Sequence, residues 1–422
     1  MAPQGTLKRL VRTLRKALRL LARPAHGVRG AGGIVLQPYR GYGSRRELFL
    51  IGRVYHEPRP RRRGGGGDLA KASADLVRLL RRRGLADAKL RARFHGTEQE
   101  LATDKDGYFR VHLHLTEPPP ADRRWHGLRL ELLTPTPLHV DAAVFIPPDT
   151  CRVVVISDID DTIMKTGVAN RLVMLWRLFG QGADRRLPFP GMAAFLRALY
   201  EGGSGAELNP MLYVSRAPWG IYEVLDAFFR LHAIPVGPLL YLREWGLTLQ
   251  SPLPRHAKDH KLDLIRHMLA LYDDLPFVLI GDSGQHDPEL YARVVRENPG
   301  RVRAVYIRNV SRDPARLAAI EALAAEVAAA GSTLLLTADT QAMADHAARH
   351  GLIAPAAVAE VRGERRADAA APPAPTDTLT AATPTATRAA VQEGRLAEVL
   401  DQGDAAEPPP SVTVEPERGG TG

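Results

Sequence analysis

Asp158, Asp160 and Thr162 follow one another at the end of a continuously apolar run, RVVVISDIDDT (152–162). Three further segments carry reactive side chains at comparable places: LYVSRAPW (212–219) with Ser215 and Arg216, RHAKDHKLDLI (255–265) with Lys258 and Lys261, and FVLIGDSGQHD (277–287) with Asp282 and Asp287. Carboxylates brought together repel one another, and a bound divalent cation relieves that repulsion. Oxygen-only ligands favour Mg²⁺ over zinc or copper. Asp158, Asp282 and Asp287, with the carbonyl of Asp160, would make such a site. A carboxylate such as Asp158 can also attack phosphorus, splitting one displacement into two. Asp160 is spaced to protonate the leaving oxygen and then to activate water. Ser215 and Lys261 would hold the non-bridging oxygens as their charge develops, and Arg216 is placed to bind one of them. Each acid alone reads equally well as a turn or cap residue; the joint order of the four segments is what argues for a site.

The elements that must position these residues form an alternation. From residue 150 onward, apolar runs at 152–157, 211–215, 277–281, 302–307 and 333–336 read as strands buried on both faces. Helical patterns at 190–200, 219–232, 259–272, 287–297, 313–330 and 341–350 lie between and after them. Alternating strands and helices predict an α/β domain over 150–360 with a doubly wound parallel sheet, whose ligands bind beyond the carboxyl ends of the strands. The spacing from Thr162 to Ser215, and from Ser215 to Lys258, leaves no room for a large cap domain. The site would stay open, which suits phosphate on a large or interfacial substrate. Trp176, Phe179, Trp219, Tyr222 and Trp245 are candidates for an acyl-facing rim, with ordinary core packing as the alternative.

Ahead of this domain, strand-like segments at 47–56, 88–94, 108–115, 127–133 and 138–146 predict a small β-sandwich-like domain over 35–149, with a helix at 69–83. Asp104, Asp106 and Gly107 resemble the start of a calcium loop, but the later ligands are missing and a hairpin turn is expected. Charge is uneven: residues 1–93 hold 24 Lys and Arg against 5 Asp and Glu, within a chain of net charge +10. In residues 6–23, Leu7, Leu10, Val11, Leu14, Leu18 and Leu21 form one stripe and basic residues cover most of the rest. That composition suits a helix lying on anionic lipid. The basic amphipathic segment is taken as 1–34; residues 1–93 lack the interleaved aromatics of a base-stacking face, so no nucleic-acid partner is expected. The lone Cys151 excludes a disulfide framework. From 361 to 422 the composition predicts a disordered tail.

The DxDxT pattern at Asp158–Thr162, in order with the other three segments, resembles the haloacid dehalogenase superfamily of phosphohydrolases. The resemblance implies Asp158 as nucleophile, Asp160 as general acid/base, Thr162 as a support for the loop, and Ser215 as the second-motif hydroxyl. It also implies Asp282 and Asp287 as the acidic metal-binding motif and Lys261 as the motif lysine, with Lys258 competing. The phrases SDIDDTI, LPFPGMAAF, YVSRAPWGIY and PFVLIGDSGQHDPELY, together with PYRGYG and TDKDGYF, are similar to the phosphatidate phosphatase family of the fungal actin-patch-protein type, relatives of the lipin catalytic domain. That resemblance implies Mg²⁺-dependent hydrolysis of phosphatidate, a phospholipid, to diacylglycerol and phosphate. The expected setting is cytoplasmic and peripheral, on the inner face of a membrane through residues 6–23. The alternatives are a phosphatase of another phosphomonoester (phosphoprotein, nucleotide or small molecule) and, ranked last, a non-catalytic membrane or nucleic-acid adaptor.

Overall fold

The computed structural model describes residues 27–57, 82–159, 162–163, 188–215, 222–241, 257–370 and 412–414. Ten strands come first: β1 (Val28–Arg29), β2 (Ile34–Pro38), β3 (Gly41–Gly43), β4 (Glu47–His56), β5 (Arg83–Gly84), β6 (Lys89–Phe94), β7 (Thr97–Ala102), β8 (Tyr108–His114), β9 (Trp125–Leu132) and β10 (Leu138–Phe145). A sandwich implies two facing sheets; here all ten strands join one hydrogen-bonded network. β4 is its spine. One edge pairs with β2 and β3, the other with β5 and β8. Alternation in β4 and β8 turns Leu48, Leu50, Val54, Phe109, Val111 and Leu113 into one buried cluster. Between β7 and β8, Asp104 Oδ1 accepts from the N–H groups of Asp106 and Tyr108, both at 2.9 Å, and Gly107 takes a positive φ of 80°. The segment is a hairpin turn, as its missing calcium ligands predict.

Three readings of this half need correction. The sheet begins at Val28, ahead of residue 35, because β1 and β2 pair outside the first long alternating run. The helix expected at 69–83 falls mostly outside the described residues, but its last residue, Arg83, is in a strand and pairs with His56. β7 was not anticipated, and its six residues bury none of their side chains.

The second half is built on β11 (Val154–Asp158), β12 (Met211–Ser215), β13 (Leu239–Tyr241), β14 (Phe277–Asp282), β15 (Val302–Arg308), β16 (Leu334–Thr337) and β17 (Val412–Val414). Their order is β13-β12-β11-β14-β15-β16-β17, and all pairs are parallel except the last. The helices are α1 (Met192–Glu201), α2 (Tyr222–Leu231), α3 (Ala257–Leu271), α4 (Asp287–Glu297), α5 (Pro314–Ala329), α6 (Thr340–Arg349) and α7 (Pro355–Ala370). Strand residues alternate between two cores. Val155, Tyr213, Ile280 and Tyr306 pack with α1, α2, α6 and α7. Val154, Ile156, Leu212, Leu279 and Val305 pack with α3, α4 and α5. The sheet is therefore covered on both faces, which is why its strands read as unbroken apolar runs.

The expected disorder from 361 onward is corrected at 361–370 and 412–414, while 371–411 and 415–422 lie outside the described residues. α7 continues to Ala370 and is tied to the start of α1: Gly191 N–H donates to Asp368 Oδ2 at 2.9 Å and Ala194 N–H to Glu364 Oε1 at 2.8 Å. Val412–Val414 adds a strand to the edge of the sheet. Residues 6–23 lie outside the described residues, and no helix among the described residues is long and apolar enough to cross a membrane.

Candidate active site

Parallel strands align their carboxyl ends, and here those ends are polar in register. Asp158 ends β11 opposite Val214, one residue before Ser215 ends β12. Asp282 ends β14 opposite Arg308, and Arg308 ends β15 opposite Thr337. Each strand is held between two apolar layers until its last residue, which is free to carry chemistry.

Asp158, Asp282 and Asp287 converge, with a carboxylate oxygen of each within 4.8 Å of the others. All three are buried, at 1%, 0% and 1% exposure. Lys261, four residues into α3, reaches the same point. Its ammonium donates to Asp158 Oδ1 at 2.9 Å and to Asp287 Oδ1 at 2.5 Å. Burial by itself pulls that ammonium down, but Asp158 and Asp287 together push it well above its ordinary value. Tyr291 lies beneath, its ring centroid 5.4 Å from Nζ. Among the described residues, these three carboxylates and one ammonium carry a formal net charge of −2 in a buried place. Such a charge is costly to bury without a compensating cation.

The donor set fits a divalent ion. Asp287 Oδ2 is buried and has no hydrogen-bond partner among the described residues. The donors are all oxygen, which selects a hard cation. The acidic loop is fixed in advance. Asp282 Oδ1 accepts from the N–H groups of Gly284 (2.8 Å) and Gln285 (3.0 Å), and Oδ2 from the Gln285 amide (2.9 Å). Arg316 clasps the loop from α5, donating to the carbonyls of Ser283 and Gln285. Gly281 is required where it stands: a Cβ there would come 2.4 Å from Asp287 Oδ2. His286, not Asp287, occupies the N-cap position of α4, so the Asp287 carboxylate turns to Lys261 instead of capping the helix.

Asp158, Asp282, Asp287 and Lys261 thus come together, and Ser215 stands buried at the neighbouring strand end. Thr162 is also buried. Its carbonyl accepts from Arg308 Nε at 3.2 Å, while its hydroxyl has no partner among the described residues. Asp160, Arg216 and the side chain of Lys258 lie outside the described residues, as do Trp176, Phe179, Trp219 and Trp245. Tyr222 is core, not rim: its ring meets Tyr39 at 4.7 Å and its hydroxyl accepts from Arg40 N–H at 3.2 Å.

Arg308 is the residue that sequence reasoning missed. Its guanidinium is buried, with no carboxylate among the described residues hydrogen-bonded to it. It donates to the carbonyls of Thr162 and Ala338 and to Thr340 Oγ1, and it lies 4.2 Å from the Phe189 ring centroid. It therefore ties Thr162 to the start of α6. Its signal was its place after VRAVYI, the same strand-end position that marks Asp158 and Asp282. A cavity of about 560 Å³ lined by Arg45, Arg152 and Tyr272 lies near the beginnings of β11 and β14, at the opposite end of the sheet from the carboxylates.

This geometry occupies the stretch that known proteins share. Residues 153–309 match the family described as "Phosphatidate phosphatase APP1, catalytic domain". The match bears out the actin-patch-type resemblance of the motif phrases. Phosphatidate phosphatase APP1 of Saccharomyces cerevisiae is 29% identical over 154 residues, covering 36% of this chain and 25% of that protein. An uncharacterized protein of Schizosaccharomyces pombe is 28% identical over 160 residues, covering 38% and 25%. The matched stretch spans about a quarter of the length of these relatives. A carbohydrate acetylesterase structure from Xanthomonas citri is 12% identical with a TM-score of 0.22, covering 64% of this chain and 66% of that one, and carries no argument.

Proposed function

We propose that this chain is a Mg²⁺-dependent phosphatidate phosphatase working through an aspartyl-phosphate on a haloacid dehalogenase-like, doubly wound sheet. The observation that carries the reading is the convergence of Asp158, Asp282, Asp287 and Lys261 at the strand ends, inside the stretch matching the APP1 catalytic family. An Asp158 carboxylate oxygen attacks phosphorus as the bond to the diacylglycerol oxygen breaks. Asp160 gives that oxygen its proton. Asp160 then takes a proton from the water that attacks the aspartyl-phosphate, releasing inorganic phosphate and restoring Asp158. Lys261 orients Asp158 and neutralises developing phosphoryl charge, with Ser215 and Arg216 on the other oxygens. Mg²⁺, held by Asp158, Asp282 and Asp287 with the Asp160 carbonyl, would supply further charge neutralisation at the phosphoryl group. Residues 6–23 would concentrate the enzyme on anionic lipid at the inner face of a membrane. No nucleic acid is part of this reading.

Phosphate release from phosphatidate in mixed micelles tests it, beside a panel of soluble phosphomonoesters. The expected result is turnover on phosphatidate that stops with EDTA and falls at least about 10³-fold in Asp158→Asn, as loss of a covalent nucleophile requires. Activity that survives either treatment ends the mechanism. Faster turnover of the soluble esters moves the substrate assignment to another phosphomonoester.

A further inference from the structure

A second group of metal-ligating side chains stands apart from the carboxylates, on the first sheet. His112 and His114 are two residues apart in β8, so strand periodicity turns both to one face. Glu47 of β4 is paired directly with His114. One ligand atom from each of the three lies within 4.8 Å of the other two. The two imidazole rings are 4.5 Å apart between centroids, and His112 Nε2 stands 2.6 Å from Glu47 Oε2 with one proton between them. His112 is 44% exposed and Glu47 28%, so an ion can enter from solvent.

We propose that Glu47, His112 and His114 form a zinc site with its fourth position open to water. Two imidazoles and one carboxylate suit Zn²⁺, which takes nitrogen and oxygen donors in four-coordinate geometry; Mg²⁺ prefers oxygen alone. On binding, the ion takes the place of the proton between His112 Nε2 and Glu47; from a neutral ring that proton moves to Nδ1, and from an imidazolium it passes to solvent. The ligands are oriented beforehand. The His112 ring stacks on Phe49 at 4.2 Å and 20°, and its backbone N–H donates to Gln99 Oε1 at 3.1 Å. Phe49 in turn meets His267 of α3 edge-on at 4.8 Å and 87°. The site therefore abuts the helix that carries Lys261, at the seam between the two sheets' domains. It differs from the carboxylate cluster in donor chemistry, so the two select different ions.

The test is a zinc titration of the chelator-stripped full chain in saturating Mg²⁺, followed by calorimetry. Co²⁺ absorption reports coordination number in the same samples. Wild type and Asp158→Asn should both bind one zinc equivalent at this site and show four-coordinate Co²⁺ bands. His112→Gln with His114→Gln should lose that equivalent and those bands. Glu47→Gln should weaken binding by at least about 10-fold, since even a lost outer partner of a ligand costs about 10–100-fold. Circular dichroism confirms that these partly exposed substitutions leave the fold intact. Zinc that is not bound by wild type, is retained by the double variant, or is lost with Asp158→Asn overturns the proposal.

Discussion

Lys261 does two jobs at one point: it neutralises part of a buried carboxylate cluster and it fixes where Asp158 points. Replacing it by Met leaves three buried acids with no ammonium among them. Breaking a buried ion pair in this one-sided way costs about 3–5 kcal/mol. Lys261→Met should therefore unfold at lower urea in EDTA, with much of the loss recovered in Mg²⁺. The pH dependence has a definite sign. The native ammonium holds its proton well above its ordinary value, while the unfolded lysine releases it near about 10.4. Its stabilisation is complete below that unfolded value and declines as pH rises above it. Metal-free wild type should lose more stability than Lys261→Met between neutral pH and the strongly alkaline range, as followed by urea midpoints. Equal slopes would mean that Lys261 is not paired as described. Asp158 and Asp282 could be read from sequence because a carboxylate after an unbroken apolar strand is out of place unless it works there. Arg308 holds the same kind of position, yet an arginine at a strand end reads as a surface residue. Its strand-end place hints at a role, and its buried bonds to Thr162, Ala338 and Thr340 disclose it.

Elements differed in legibility for a related reason. β11, β12, β14 and β15 announce themselves because both their faces are buried. β7 buries no side chain, so its sequence TEQELA gives no hydrophobic signal; backbone pairing with β6 makes it a strand. α7 likewise buries only Val361, and its composition reads as tail. What holds it is polar: Glu364 and Asp368 accept the exposed N–H groups at the start of α1, where Gly191 offers no capping side chain. Arg197 also pairs with Glu364. Asp368→Ala should cost about 1 kcal/mol, the ordinary value of a lost N-cap. Glu364→Ala should cost more, since it also takes from Arg197 its carboxylate partner, leaving the Ala233 carbonyl. Urea unfolding of both variants checks the order, and no loss in either would show that α7 does not cap α1.

At the scale of the whole molecule, the two halves share their cores. Tyr39 and Tyr108 of the first sheet join the cluster around α1 and α2, and Tyr42 and Phe49 lie against the one around α3. The polar centre of this seam is Arg40, inside the PYRGYG phrase. Its guanidinium is 1% exposed and pairs with Asp226 of α2, while its N–H and Nη1 donate to the Tyr222 hydroxyl at 3.2 and 3.3 Å. A charge so buried is tolerable only while its partner is present. Arg40→Ala removes the pair across the seam but leaves Asp226 with Arg230 at 2.9 Å, so it should cost less than the about 3–5 kcal/mol of a fully broken buried pair. Because the contact crosses between halves that share a core, the loss should appear in both. Amide exchange on β8 and on β12 should accelerate together, through one cooperative opening. Acceleration confined to β8 would mean that the first sheet opens alone and that the seam does not couple them. A shared response would also tie the start of α2, which follows the Ser215–Arg216 segment after five intervening residues, to the integrity of the first sheet. The first domain would then bear on catalysis by holding α2 in place, without supplying any group that touches phosphate.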